Sequence, residues 1–207
     1  MKNKLLAIAL CALAASAAAQ DVTPDVLVKS ITRDVVAIMK QTADAQPGDP
    51  KKIASVIETK VLPHFELTRM TQLAMGRNWR LATPEQQQTL TAEFMTLLVR
   101  TYSTALATYR DQAIEVKPLR AAPDATEVTV KSDVRRPGTQ PIAIDYDLGK
   151  TPAGWKVYDV KVGGVSLVTT YRETFANEVR ERGIDGLIKS LAVKNRQSDS
   201  KFGASKT

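Results

Sequence analysis

The side chains in this 207-residue chain that could support acid–base catalysis are a single histidine and aspartates in the C-terminal half. A general acid–base enzyme would depend on His64, with Asp145, Asp147 or Asp159 orienting its imidazole ring. His64 directly follows Pro63, in a predicted connection between two helices. We therefore expect a structural histidine at this position, and an enzyme that uses His64 is an alternative hypothesis.

Ser166 is the candidate nucleophile, because it follows the turn sequence Gly163-Gly164-Val165. It lacks the flanking glycine of a nucleophile elbow, so we predict that Ser166 caps the helix that follows. The sequence contains no Walker loop and no dinucleotide-binding glycine motif. One cysteine and one histidine exclude a disulfide framework, a Cys-ligated zinc site and an iron–sulfur cluster. We predict no metal, no cofactor and no enzymatic activity.

The charge balance of the chain is basic, with 29 Lys and Arg against 22 Asp and Glu. The arginines are spread along the chain between acidic residues, and aromatic residues make up only 5% of it. Nucleic-acid binding needs a clustered basic surface and stacking aromatics, so we predict that the protein binds no nucleic acid. The charge favours transient contact with anionic membrane surfaces or acidic proteins.

Residues 1–19 have the pattern of a secretory signal peptide. A charged start at 1–4 precedes an apolar run at 5–13, and Ala17-Ala18-Ala19 fits the small-residue cleavage rule. The apolar run is shorter than the ~20 residues of a membrane span. We predict cleavage after Ala19 and a periplasmic location. Loss of the leader removes Cys11 and lowers the net charge from +7 to +5.

The mature chain reads as one domain over 20–195, followed by a polar tail over 196–207 that we expect to be disordered. Helical periodicity and its stop signals predict helices over 24–46, 50–63, 65–76, 84–109, 167–180 and 185–194. Alternation of apolar and polar residues predicts strands over 114–119, 128–134, 142–148 and 155–162. Short connections between these runs indicate an antiparallel meander. The fold class is therefore α+β, a sheet of about four strands with helices on one face.

The predicted helix over 84–109 carries an apolar face that is wider than a surface helix requires. This face includes Phe94, Leu98, Tyr102 and Ala105. Two arrangements explain such a face: the helix packs against a sheet, or it forms the wall of an apolar pocket. Periodicity alone does not distinguish a filled core from one that holds a cavity.

Several separated blocks share the order and spacing of one known family. They are Val61-Leu62-Pro63-His64-Phe65-Glu66, Leu73-Ala74-Met75-Gly76-Arg77-Asn78-Trp79-Arg80, Trp155-Lys156-Val157-Tyr158-Asp159-Val160, Gly164-Val165-Ser166-Leu167-Val168 and Gly183-Ile184-Asp185-Gly186-Leu187-Ile188. Over residues 22–194 the chain resembles the MlaC family of auxiliary lipid-transport proteins, also called toluene-tolerance proteins.

The resemblance implies a periplasmic phospholipid carrier with an NTF2-like, cystatin-like sheet wrapped by helices around an apolar cavity. It implies glycerophospholipid as cargo, exchanged between an outer-membrane lipoprotein–porin complex and an inner-membrane ABC transporter that bears an MCE-domain protein. Such transport keeps the outer membrane asymmetric. No heptad seam is present, and we expect a monomer.

The residues expected to contact the lipid lie on the long helix, on the strands and on the preceding helices. They are Phe94, Leu97, Leu98, Thr101, Tyr102, Ala105, Val130, Ile144, Tyr146, Phe65, Leu73 and Trp79. Besides the enzyme, a periplasmic chaperone or adaptor whose apolar surface holds a protein is the second alternative.

Overall fold

The computed structural model describes residues 22–45, 54–107, 113–135 and 138–204. The predicted signal peptide, and with it the cleavage site, lies outside these residues. So do residues 46–53, which hold the start of the predicted second helix, and residues 108–109 at the end of the predicted long helix.

In chain order, the long helices come before the first strand and after the last strand of the sheet. The α-helices are α1 (Pro24–Ala45), α2 (Leu67–Met75), α3 (Pro84–Ala107) and α4 (Arg172–Ala204). Residues 54–56 are also helical, and they continue into a π-helical segment (Ile57–Val61) and a 3₁₀ turn (Leu62–His64) before α2. Further 3₁₀ turns precede α3 (Gly76–Leu81) and α4 (Thr169–Tyr171).

The helix boundaries have local causes that the sequence predicted. The Thr83 backbone N–H donates to Gln86 Oε1 at 3.0 Å, and the Gln86 N–H donates to Thr83 Oγ1 at 3.2 Å. This reciprocal pair is the predicted capping box at the start of α3. Gly76 ends α2 with a φ of 53°, a left-handed conformation that favours glycine.

Helix α4 is interrupted at Gly183, whose φ of 71° and ψ of −177° are not helical. The interruption lies between the two helices predicted for this region. The second part then continues to Ala204, so residues 196–204 are helical where the sequence predicted a disordered tail. A helix that has already formed gains one hydrogen bond for each residue added, which allows a polar segment to extend it.

The sheet is an antiparallel meander in the order β1-β2-β3-β4-β5. Its strands are β1 (Ala113–Val116), β2 (Glu127–Arg135), β3 (Ile142–Thr151), β4 (Gly154–Val162) and β5 (Val165–Ser166). The α+β class and the meander are as predicted, and the two-residue strand β5 adds a fifth strand to the four expected. A β-bulge shifts the β3–β4 register between Asp147 and Leu148.

Two apolar clusters share helix α3. The first, which we call the helical core, joins α2, α3 and α4 around Phe94, Phe175 and Leu187. The second, which we call the sheet core, joins α1, the π-helical segment and α3 to the inner face of the sheet at Val130, Leu148 and Val157. None of the described helices is long and apolar enough to cross a membrane.

Candidate functional site

An apolar cavity of about 390 Å³ lies between the helices and the inner face of the sheet. This size falls within the roughly 300–1,000 Å³ typical of small-molecule sites. Its helical wall comes from α1, the π-helical segment, α2 and α3, and its other wall comes from strands β1 to β4. The lining residues are Ile31, Thr32, Val35, Ile57, Val61, Leu62, Phe65, Met70, Met95, Leu98, Val99, Tyr102, Ile114, Val134, Ile142, Ile144, Tyr146, Val160, Val162, Leu167 and Val168.

The exposure of strand β3 shows how the cavity is oriented. Ile142, Ile144, Tyr146 and Leu148 alternate along the strand and so share the inner face. Ile142 lines the cavity and is 37% exposed, whereas Leu148 is fully buried and belongs to the packed sheet core. The cavity therefore opens toward the β2–β3 connection and closes toward Leu148.

The lining is apolar except for the hydroxyl groups of Thr32, Tyr102 and Tyr146. Burial raises the pKa of Tyr146, and the nearby hydroxyls of Thr32 and Ser132 act in the opposite direction. Burial also raises the pKa of Tyr102 to about 12, and the neighbouring Tyr171 adds to that shift. Both phenols are neutral at physiological pH, so the described lining carries no charged side chain.

Five of the predicted site residues line the cavity: Phe65, Leu98, Tyr102, Ile144 and Tyr146. Leu98 and Tyr102 lie one turn apart on α3, and Ile144 and Tyr146 face them from β3. Phe65 closes the side of the cavity next to β4, where its backbone pairs with that of Val157. The structure therefore brings together side chains from three separate parts of the sequence.

Six other predicted site residues lie outside the lining. Phe94 is fully buried in the helical core, and Leu73, Trp79 and Leu97 pack against that cluster. Val130 is fully buried in the sheet core. Thr101 is exposed, and the side chain of Ala105 lies outside the described residues. On α3, the lining residues begin at Met95, and Met95 and Leu98 are also buried members of the helical core.

Helix α1 supplies lining residues that the sequence analysis did not include. Ile31, Thr32 and Val35 recur at helical spacing, and Ile57 and Val61 do the same in the π-helical segment. This spacing predicted amphipathic helices, but it could not show against which face of the sheet they pack. The strand residues Val134 and Val160 follow from the same alternation that identified Ile144.

The residues considered for catalysis are not assembled into a site. Among the described residues, no hydrogen bond joins His64 to Asp145, Asp147 or Asp159. On the outer face of the sheet, Asp147 accepts from Thr129 Oγ1 at 2.7 Å and pairs with Lys161 Nζ at 2.6 Å. Burial raises the pKa of Asp159, which accepts hydrogen bonds from Ser166 Oγ at 2.9 Å and the Val160 N–H at 2.8 Å.

Ser166 also has the local role that its sequence context predicted. Its Oγ accepts hydrogen bonds from the Thr169 N–H at 2.8 Å and the Val168 N–H at 3.2 Å. The hydroxyl thus caps the turn that leads into α4, and it donates its own hydrogen bond to Asp159. Within the described part of the chain, no group of three His, Cys, Asp or Glu side chains could hold a metal ion.

Comparison with known proteins assigns the fold and the cavity to a family. The sequence profile of the MlaC protein family matches residues 29–193. The chain belongs to the MlaC family. The match spans most of α1, the whole sheet and most of α4, so it includes every described residue that lines the cavity.

Relatives and a solved structure agree with membership in the MlaC family. The chain is 25% identical to a toluene tolerance protein of Pseudomonas putida over 185 residues, which cover 86% of each chain. It is 22% identical to the MlaC binding protein of an intermembrane phospholipid transport system in Haemophilus influenzae, covering 83% of this chain and 81% of that one.

A phospholipid-binding protein from Ralstonia solanacearum, solved in complex with a phospholipid, has a similar structure, with a TM-score of 0.76. It is 43% identical in sequence, and the match covers 83% of this chain and 96% of that chain.

Proposed function

We infer that this MlaC-family protein is a non-enzymatic phospholipid carrier of an intermembrane phospholipid transport system. The observation that carries the inference is the apolar cavity between α1, α3 and the sheet. It occurs in a chain that is 43% identical to a phospholipid-binding protein solved with its lipid. The family match and the similarity to the H. influenzae binding protein support the same function.

The chemistry of the cavity suits this cargo. Each buried methylene of an acyl chain is worth about 0.8 kcal/mol, so exposing two chains of about sixteen carbons to water costs on the order of 20 kcal/mol. A carrier must provide an apolar environment of similar quality, and it must also release the lipid. A lining of aliphatic side chains without charge meets both conditions, because it offers burial without a strong polar anchor.

In the proposed complex, the acyl chains contact Phe65, Leu98, Tyr102, Ile144 and Tyr146 together with the lining residues of α1. The headgroup stays in water at the opening near Ile142. This arrangement explains why the sequence carries no recognisable headgroup motif. We treat Phe94, Leu73, Leu97, Trp79 and Val130 as supports of the cavity wall, since each packs in a core cluster.

The proposed setting is the periplasm, which follows from the signal-peptide pattern of residues 1–19. The proposed partners are an inner-membrane ABC transporter with an MCE-domain protein and an outer-membrane lipoprotein–porin complex. Both follow from the family resemblance. The carrier would move glycerophospholipid between them as a monomer and so maintain the asymmetry of the outer membrane.

The test is native mass spectrometry of the mature protein purified from a bacterial periplasm, followed by organic extraction. We expect one-to-one retention of a glycerophospholipid, or its uptake from vesicles by delipidated protein. A chain that neither retains nor takes up phospholipid would contradict the carrier function. Retention of a peptide in place of lipid would favour the chaperone alternative.

A matched pair of variants locates the binding site. Ile144→Asp places a charge in the cavity wall, where an acyl chain cannot solvate it, and we expect it to abolish lipid retention. Val193→Asp makes the same kind of change on an exposed part of α4 and should retain lipid as the wild type does. Leu98→Arg is a second cavity variant. Circular dichroism checks that each variant remains helical.

A further inference from the structure

We propose that Thr32 and Tyr146 form a hydrogen-bonding subsite inside the cavity for an oxygen atom of the bound acyl lipid. The proposal rests on the carrier function above and makes its ligand more specific. Thr32 lies on α1 and Tyr146 on β3, and both line the cavity from opposite walls. The aliphatic lining around them supplies no hydrogen-bond partner, and the Thr32 hydroxyl completes no hydrogen bond in the described structure.

The first observation concerns Thr32. Its side-chain hydroxyl is buried, the residue is only 9% exposed, and Oγ1 completes no hydrogen bond within the described structure. A threonine in the middle of a helix commonly donates to the carbonyl four residues earlier, as Thr71, Thr91 and Thr96 do here. Thr32 does not make this bond, so its hydroxyl remains available to the cavity.

The second observation is the environment of Tyr146, on the sheet side of the cavity. Its phenol stands near the hydroxyls of Thr32 and Ser132. Ser132 is already engaged, since its Oγ donates to the Ile144 carbonyl at 3.1 Å. The result is a small group of hydroxyls in an otherwise aliphatic wall, and Thr32 in this group lacks a partner.

The energetics favour a ligand atom at this place. A buried hydroxyl without a partner is unfavourable, and one net hydrogen bond made there favours binding by a factor of about three to ten. Methylene groups cannot provide that bond. In an acyl lipid the available acceptors are the ester carbonyls and any oxygen carried on the chain itself, so the shared chemistry is an acceptor oxygen.

The experiment offers delipidated protein equimolar pairs of phospholipids and reads the bound ratio by native mass spectrometry. The first pair is a diester phosphatidylethanolamine and its diether analogue, which lacks the carbonyls. The second pair is the diester lipid with and without a hydroxyl group on one chain. A ratio within one sample is independent of how much lipid each variant binds in total.

We expect the wild type to prefer the oxygen-bearing member of one pair by about three- to tenfold, the ratio that corresponds to one net hydrogen bond. Thr32→Val keeps the shape of the side chain and should reduce that ratio to near one. Tyr146→Phe should reduce it as well. A diester preference assigns the oxygen to an ester carbonyl, and a preference for the hydroxylated chain assigns it to the chain.

The control variant is Thr68→Val, which makes the same change at an exposed position on α2. Ratios near one for both pairs in the wild type would overturn the subsite, and so would a preference that persists in Thr32→Val and Tyr146→Phe. A wild type that binds none of these lipids would contradict the carrier function itself, so the two failures are distinguishable.

Discussion

The two apolar clusters of this protein differ in composition and in how they are filled: the buried residues of the helical core are mainly Leu, Met and Phe, and those of the sheet core are mainly Val and Ile. In the helical core, the Phe94 ring contacts the rings of Phe175 and Tyr171 edge-on, with centroids 5.1 and 5.2 Å apart. In the sheet core, the side chains of α1 and β3 separate around a cavity of about 390 Å³. Helix α3 belongs to both: Leu98 is a buried member of the helical core and lines the cavity, and Val99 beside it belongs to the sheet core.

Hydrogen bonds join the elements around both clusters. Gln86 Nε2 donates to Asp185 Oδ1 at 2.7 Å, and Asn195 Nδ2 donates to Glu93 Oε2 at 2.6 Å, so two side-chain hydrogen bonds connect α3 to α4. Arg172 also donates twice to the Leu73 carbonyl. At the cavity, the Glu66 N–H donates to the Val157 carbonyl at 2.8 Å and so joins the helical wall to β4. The described lining itself is apolar apart from three hydroxyl groups.

Truncating the centre of the helical core should have the largest effect. Phe94→Ala removes a fully buried ring and two aromatic contacts, so we expect the free energy of unfolding to fall by about 3–5 kcal/mol. Urea denaturation followed by circular dichroism measures this change. A loss below about 1 kcal/mol would mean that the helical core is loosely packed, which would remove the contrast between the clusters.

Strand β3 offers a matched comparison within one element. Leu148→Ala creates a new void in a packed region, and we expect a loss of about 2–5 kcal/mol. Ile144→Ala removes a side chain that already borders the cavity, so the loss should be about 1–1.5 kcal/mol in delipidated protein. Denaturant titration of both variants tests this. Equal losses would indicate that the cavity closes when lipid is absent.

The interruption of α4 should depend on glycine. Gly183 has a φ of 71° and a ψ of −177°, a region of backbone conformation that is essentially restricted to glycine. Gly183→Ala should therefore lower the free energy of unfolding by about 1–3 kcal/mol. Thermal denaturation provides the measurement, and Ala192→Gly within the second part of α4 gives a comparison for an ordinary helical position. If Gly183→Ala left the free energy of unfolding unchanged, α4 would be able to form a continuous helix through this position.

The smallest effect concerns alkaline pH. The pKa of Tyr102 is raised to about 12 from an ordinary value of 10.0, so between these values the unfolded state loses its phenolic proton while the folded state keeps it. The free energy of unfolding should therefore decrease as pH rises from about 10 to about 12. Tyr102→Phe should show a shallower decrease in urea titrations across this range. An unchanged slope would place the Tyr102 phenol in solvent.

Much of the fold could be predicted from local patterns. The capping pair Thr83 and Gln86, the stop at Gly76 and the alternation along β2 and β3 depend on residues close together in sequence, and the structure confirms each one. The helical extension beyond residue 196 was not predicted, because polar composition alone does not show that a preceding helix can continue.

The candidate site was predicted less completely, and the reason is geometric. Phe94 and Leu98 are one turn apart on the same face of α3 and both belong to the helical core, yet only Leu98 also borders the cavity. The spacing of two residues along a helix is the same whether they pack in a core or border a cavity, so it could not distinguish them. The place of Thr32 in the cavity wall was also missed, since nothing in the local sequence shows that its hydroxyl lacks the usual backbone partner.

The sequence by itself determined the α+β class, the order of helices and strands, and the family blocks. These properties follow from periodicity, turn residues and residue types, which act over a few positions. Only the tertiary structure decided which part of each apolar face is packed and which part borders empty space. That outcome depends on where α1, α3 and the sheet diverge, and this separation is set by contacts between residues far apart in sequence.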